Sequence, residues 1–332
     1  MGIVTGINAL PMTGEGDCHG QKCPPDDRGG AFDKKLSVAG GFGVEIFGGL
    51  CYDSIESVWV EYAHFRILSL HILIRRNLMP FTIAMAGKGG VGKTTVSGML
   101  IDYLCGKGKG PVLVVDADAN SNLNEVLGVE ADITLGAIRE EMAQAEMKGT
   151  IPAGMTKADY AEFKFNSALI EEDDFDMLIM GRTQGKGCYC YVNGVLKTLV
   201  DKYAKNYQYI VMDNEAGLEH VARGTLPKVD LMLLVSDCSR RGVQAAGRVA
   251  EMIGEMELKP GKMGLIINRA PDGVLDEGTL AEVEKQGLTL LGVLPQNEDI
   301  YRCDCAGEPS AKLPGDNPVK TALRGIMQQV GI

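Results

Sequence analysis

From Phe81 onward, short apolar runs alternate with longer stretches whose apolar residues recur every three or four positions. FTIAMA (81–86), PVLVVDAD (111–118), FDMLIMG (175–181), YQYIVMDNE (207–215), VDLMLLVSD (229–237), MGLIIN (263–268) and LTLLGVLP (288–295) read as strands. Each is nearly unbroken in apolar residues, the pattern of a strand covered on both faces. Between them the helical spacing recurs over 93–105, 135–147, 192–204, 242–256, 277–286 and 319–330. Strand and helix in alternation predict an α/β fold with a mostly parallel sheet and helices on both faces. Residues 149–174 are less regular and read as an insertion.

Residues 1–78 follow a different pattern. Gly-rich, Pro-punctuated sequence leads into YAHFRILSLHILIRRNL (62–78), which is interrupted by Arg66 and closed by Arg75 and Arg76. That stretch is too short to span a bilayer and too far from the N-terminus to be a signal peptide. A short surface-seeking helix is one reading. The expected division is 1–78 as an N-terminal extension, poorly ordered or a start-site artefact, and 79–332 as the main domain. A phosphate-loop strand usually opens its domain, and here the strand follows Met79-Pro80 at once.

Charge narrows the partners. The chain carries a net charge of −11, most of it on residues 79–332, which tells against nucleic acid. No run is long enough for a membrane span, so no stable membrane association is expected. The nine cysteines are odd in number and scattered. With no secretory signal before them, they fit a reducing cytoplasm, where close pairs suggest metal or redox chemistry. Three of the four histidines precede Leu78, so the main domain cannot build a His-rich metal site.

The most specific motif is GKGGVGKTT (87–95), lying between a strand and a helix as a P-loop requires. Gly87, Gly89, Gly90 and Gly92 let the backbone wrap around phosphate oxygens. The loop, Val91 and Thr95 included, ends at a helix N-terminus, where N–H groups and the helix dipole favour anions. Lys93 should reach the β- and γ-phosphates of ATP, and the Thr94 hydroxyl should bind Mg²⁺.

The second lysine, Lys88, gives the loop a form that resembles the deviant Walker A of the MinD/ParA/iron-protein class, and the resemblance implies that 79–332 is an ATPase domain of that type. The resemblance implies that Lys88 reaches the partner's nucleotide across an ATP-dependent homodimer. It also implies roles for two strand ends: Asp118, in DADAN (116–120), would orient the attacking water. Asp213, in DNEAG (213–217), would contact Mg²⁺ through water. Carboxylates placed there suit metal-assisted phosphoryl transfer without a histidine base. Asn268 looks like the residue that reads adenine, and GVLP (292–295), ending at Pro295, like the loop that flanks the base.

Cys188 and Cys190, in GCYC (187–190), stand just before a helix. The positive helix end would lower the thiol pKa and make good ligands for soft or borderline metals. Two sulfurs leave a four-coordinate ion half-filled, and a two-fold dimer supplies the other two. Cys303 and Cys305 repeat the spacing and read as incidental, with auxiliary metal binding the alternative.

GKGGVGKTT, DADANSNL, GCYC, DNEAGLEH and SRRG (239–242) together resemble the carbon monoxide dehydrogenase maturation ATPases, the CooC/AcsF-type nickel-insertion proteins. The resemblance implies Ni²⁺ at Cys188 and Cys190, with Zn²⁺ able to replace it. It implies delivery to carbon monoxide dehydrogenase or acetyl-CoA synthase. Cys238 departs from that pattern, which carries proline there. Two rivals remain: a positioning ATPase of the MinD/ParA kind, and an electron-transfer ATPase with an intersubunit [4Fe–4S] cluster.

Overall fold

A computed structural model describes residues 79–182, 189–215 and 228–332. Eight strands form one sheet: β1 (Phe81–Ala86), β2 (Val112–Ala117), β3 (Ile170–Glu171), β4 (Phe175–Ile179), β5 (Tyr209–Asn214), β6 (Leu231–Asp237), β7 (Lys262–Ala270) and β8 (Leu290–Pro295). Their order is β3-β4-β2-β5-β1-β6-β7-β8. All neighbours are parallel except β3, a two-residue strand antiparallel to β4. The seven strands expected from the sequence are all present.

Alternate residues of the strands feed two cores. Ile83, Met85, Val112, Val114, Val211, Leu233 and Val235 face one layer. Its helices are α1 (Lys93–Gly106), α2 (Leu123–Leu127) and α9 (Pro318–Val330). Ala84, Ala86, Leu113, Val115, Met212 and Leu234 face the other. There the cover is α3 (Leu135–Lys148), α5 (Tyr189–Tyr203), α6 (Arg240–Glu255) and α7 (Glu277–Lys285), with α4 (Lys157–Asn166) outside them. Cover on both sides explains why the strands lack alternation.

Four helices differ from expectation, the first being α2, a five-residue helix after β2 that the spacing does not predict. The region 149–174 holds α4, opened by a capping box in which Thr156 and Asp159 bond each other's backbone. A further helix, α8 (Glu298–Ala306), follows β8. Helix α5 begins at Tyr189, before the predicted 192, so Cys190 belongs to its first turn.

Candidate active site

The strand order places β1 between β5 and β6, so the loop after β1 opens at the C-terminal edge of the sheet. That is where open α/β sheets bind ligands. Gly87 and Gly92 show why glycine is needed. Gly87 has φ +148°, and a Cβ there would lie 2.3 Å from the Val235 carbonyl oxygen. Gly92 has φ +90°, and its Cβ would stand 2.4 Å from Asn268 Nδ2. Gly92 also caps α1 without any side-chain cap bond. The first N–H groups of the helix are thus left for a ligand.

Lys93 is buried, and its ammonium donates to the carbonyl oxygens of Gly87 and Lys88, both at 3.2 Å. Burial pulls its pKa below the usual lysine value, opposed by the charges of Asp213, Asp118 and Glu215. Thr94 and Thr95 lie on the following turn, Val91 is buried, and Lys88, Gly89 and Gly90 are exposed.

Asp213, at the end of β5, is buried. Its Oδ1 accepts a hydrogen bond from Ser97 Oγ at 3.0 Å. Burial pushes its pKa up to about 6, while hydrogen bonds from Thr94 and Ser97 and the Lys93 charge hold it down. Ser97 belongs to no motif that the sequence displays. The one signal for it is its position a helical turn after Lys93, on the same face.

Asp118 is half-buried past the end of β2. Its Oδ1 accepts from Asn120 N at 2.7 Å, and its own N–H donates to Asp116 Oδ1 at 3.0 Å. Asn120 Oδ1 in turn accepts from Arg182, which follows β4. The structure therefore gathers Lys93, Thr94, Ser97, Asp118 and Asp213 at one sheet edge.

Asn268 lies against the phosphate loop, with Nδ2 donating to the Val91 carbonyl oxygen at 2.9 Å. Two residues further along β7, Ala270 pairs with Pro295. SRRG starts α6, where Ser239 caps the helix by accepting from Gly242 N at 3.0 Å. Cys188 lies outside the described residues, as do Ala216 and Gly217 of the DNEAG motif. Cys303 is buried and Cys305 exposed on α8. Residues two apart on a helix point to nearly opposite faces, so this pair cannot chelate one ion. Among the described residues, no group of three or more His, Cys, Asp or Glu could hold a metal.

The CobQ/CobB/MinD/ParA nucleotide binding domain matches residues 82–310. The chain belongs to that family. An uncharacterized ATP-binding protein of Methanocaldococcus jannaschii is 42% identical over 75% of this chain and 97% of its own. The carbon monoxide dehydrogenase accessory protein CooC of Rhodospirillum rubrum is 31% identical over 68% of this chain and 87% of its own. In fold, the chain is similar to the MinD protein of Pyrococcus horikoshii solved with Mg-ADP. The TM-score is 0.56 at 22% identity, covering 76% of this chain and 96% of that one.

This MinD/ParA-family protein is an ATPase, and the donor set fits its substrate. The uncapped helix and left-handed glycines form an anion cradle, Lys93 is a buried cation beside it, and Thr94 with Asp213 would hold Mg²⁺. Bound there, the ion would neutralise charge on the phosphates. Among the described residues, no helix is long and apolar enough to cross a membrane.

Proposed function

We propose that this ATPase is a metallochaperone. It would act in the cytoplasm as a homodimer that takes nickel through Cys188 and Cys190 of each subunit. It would deliver the ion to a nickel enzyme, carbon monoxide dehydrogenase or acetyl-CoA synthase. The observation that carries the reading is the position of GCYC. In the sequence it lies between β4 and α5, with Cys190 in the first turn of α5, and β4 pairs with β2 up to Ile179 against Asp116. The cysteine segment thus follows the strand that lies beside the one leading to Asp118. The CooC name of the 31% identical relative supports the same client.

Two cysteines per chain would give four thiolates on a two-fold axis. ATP, bridged by Lys88, would close the dimer, and hydrolysis would lower metal affinity for transfer. Such coupling requires the ion to bind the two nucleotide states unequally.

A positioning role of the MinD/ParA kind is less well supported. In this chain the apolar face of α9, with Val319, Leu323, Ile326 and Met327, is spent on the core against β8 and α1. It is not free to lie on a membrane.

The test is nickel titration with ADP and with a non-hydrolysable ATP analogue, alongside oligomeric mass. About one ion per dimer is expected, lost in the Cys188→Ser, Cys190→Ser double variant. Binding indifferent to both nucleotide and the cysteines would dispose of the reading. Visible absorption after anaerobic purification would instead reveal an iron–sulfur cluster.

A further inference from the structure

The end of β7 is irregular where it passes the phosphate loop. Ile267 pairs with Val293 and Ala270 with Pro295, so three steps along β7 oppose two along β8. This is the count of a β-bulge, and bulges re-aim side chains. Within it Arg269 has φ +60°, a left-handed conformation rare for arginine. In a regular strand Asn268 and Arg269 would point to opposite faces. Here both reach the same loop.

They bond successive carbonyls. Asn268 Nδ2 donates to Val91 at 2.9 Å, and Arg269 Nη1 donates to Gly90 at 3.2 Å. Asn268 Oδ1 accepts from Arg269 N at 3.0 Å, which fixes the amide's orientation. A trans peptide is planar, with its C=O and N–H pointing opposite ways. Pulling the Gly90 carbonyl toward β7 therefore turns the Val91 N–H away from β7. Pulling the Val91 carbonyl does the same for the Gly92 N–H. A phosphate cradle needs N–H groups turned inward. Arg269 is also exposed and permanently charged, with Asp304 of α8 within electrostatic reach.

We propose that Arg269 is a positioning residue for the nucleotide phosphates, setting the Gly90–Val91 peptide so that the Val91 N–H faces the ligand. The role concerns binding of ATP and ADP alike and is independent of any metal cargo. It predicts a loss of uniform binding, which raises KM and leaves kcat alone.

The test compares Arg269→Gly, which keeps the left-handed backbone accessible, with Arg269→Lys, which keeps one donor and the charge. In Arg269→Gly, KM for ATP and Kd for ADP should both rise about tenfold with kcat within about twofold. The nucleotide-free Tm should stay within about 2 °C of the wild type. Arg269→Lys should fall between, about threefold up in both constants, and it carries the test should the glycine variant fail to fold. Unchanged KM and Kd would overturn the proposal. So would a fall in kcat at constant KM, which would put Arg269 on the reacting groups. A rise in KM matched by a large loss of nucleotide-free Tm would reduce the bond to loop stability and overturn it as well.

Discussion

Asp116 on β2 and Asp213 on β5 are register partners, two buried carboxyls side by side at the C-terminal edge of the sheet. Asp116 accepts from Asp118 N at 3.0 Å and Leu123 N at 3.2 Å, so it anchors the loop that carries Asp118. Burial, helped by the Asp213 charge, pushes the Asp116 pKa up to about 7 despite those bonds. Two neighbouring carboxyls do not both ionise readily without a cation between or beside them.

A pH dependence follows. Both pKa values, about 7 for Asp116 and about 6 for Asp213, exceed the unfolded value near 4. The folded, nucleotide-free protein holds protons that the unfolded chain releases. Its stability is thus fully present below about pH 4 and drains away as pH rises through 6 to 7. Nucleotide-free Tm should fall by about 5 °C between pH 5 and pH 8. Asp116→Asn should flatten that slope. An unchanged slope in the variant would assign the titration to other groups.

Ser97→Ala should separate support of Asp213 from support of the fold. The hydroxyl bond is buried, and its loss costs about 1 kcal/mol. The Asp213 carboxyl would also lose one of the contacts that hold its orientation. Mg²⁺-dependent ATP turnover should drop about fivefold, with half-saturating Mg²⁺ shifted upward. Wild-type turnover across a Mg²⁺ titration would show that the bond serves packing alone.

The loop glycines should rank sharply. A Cβ at Gly87 meets the Val235 carbonyl, a backbone atom that cannot swing away, whereas one at Gly90 meets nothing within 4 Å. Gly90→Ala then costs only its left-handed backbone at φ +78°, about 1 kcal/mol. Gly87→Ala should cost about 3 kcal/mol or more. Urea denaturation of both variants measures the order directly, and equal losses would contradict the close approach of Val235 to Gly87.

Much of this was legible because the strands are covered on both faces and their ends carry charged residues. The phosphate loop, Asp118 and Asp213 announce themselves by pattern. Helix α4 does not, since only Phe165 of its residues is buried and no apolar stripe forms. Helix α8 likewise buries only Cys303. Nor does a sequence show the left-handed turn at Arg269 or the bulge around it, because both depend on how β7 meets β8. For Asn268 the sequence suggests adenine reading; its bond to the Val91 carbonyl is a separate contact that no motif displays.

Lys88 offers the cleanest division between nucleotide binding and assembly. It stands exposed on the phosphate loop, and among the described residues its ammonium makes no hydrogen bond or ion pair. Lys93, five residues on, is buried and committed to the loop's own carbonyls. Lys88→Ala should therefore leave Tm within about 1 °C and ADP affinity within about threefold, because no described contact of the subunit depends on that side chain. If Lys88 serves the partner's nucleotide, the wild type should double its mass with ATP in light scattering and the same change should abolish that increase. Turnover should fall by about a hundredfold or more, since a cation supplied in trans to the transferring phosphoryl is worth at least that. Lys93→Ala should instead lose nucleotide binding itself. A Lys88→Ala protein that still doubled its mass with a non-hydrolysable analogue would place the dimer contact elsewhere.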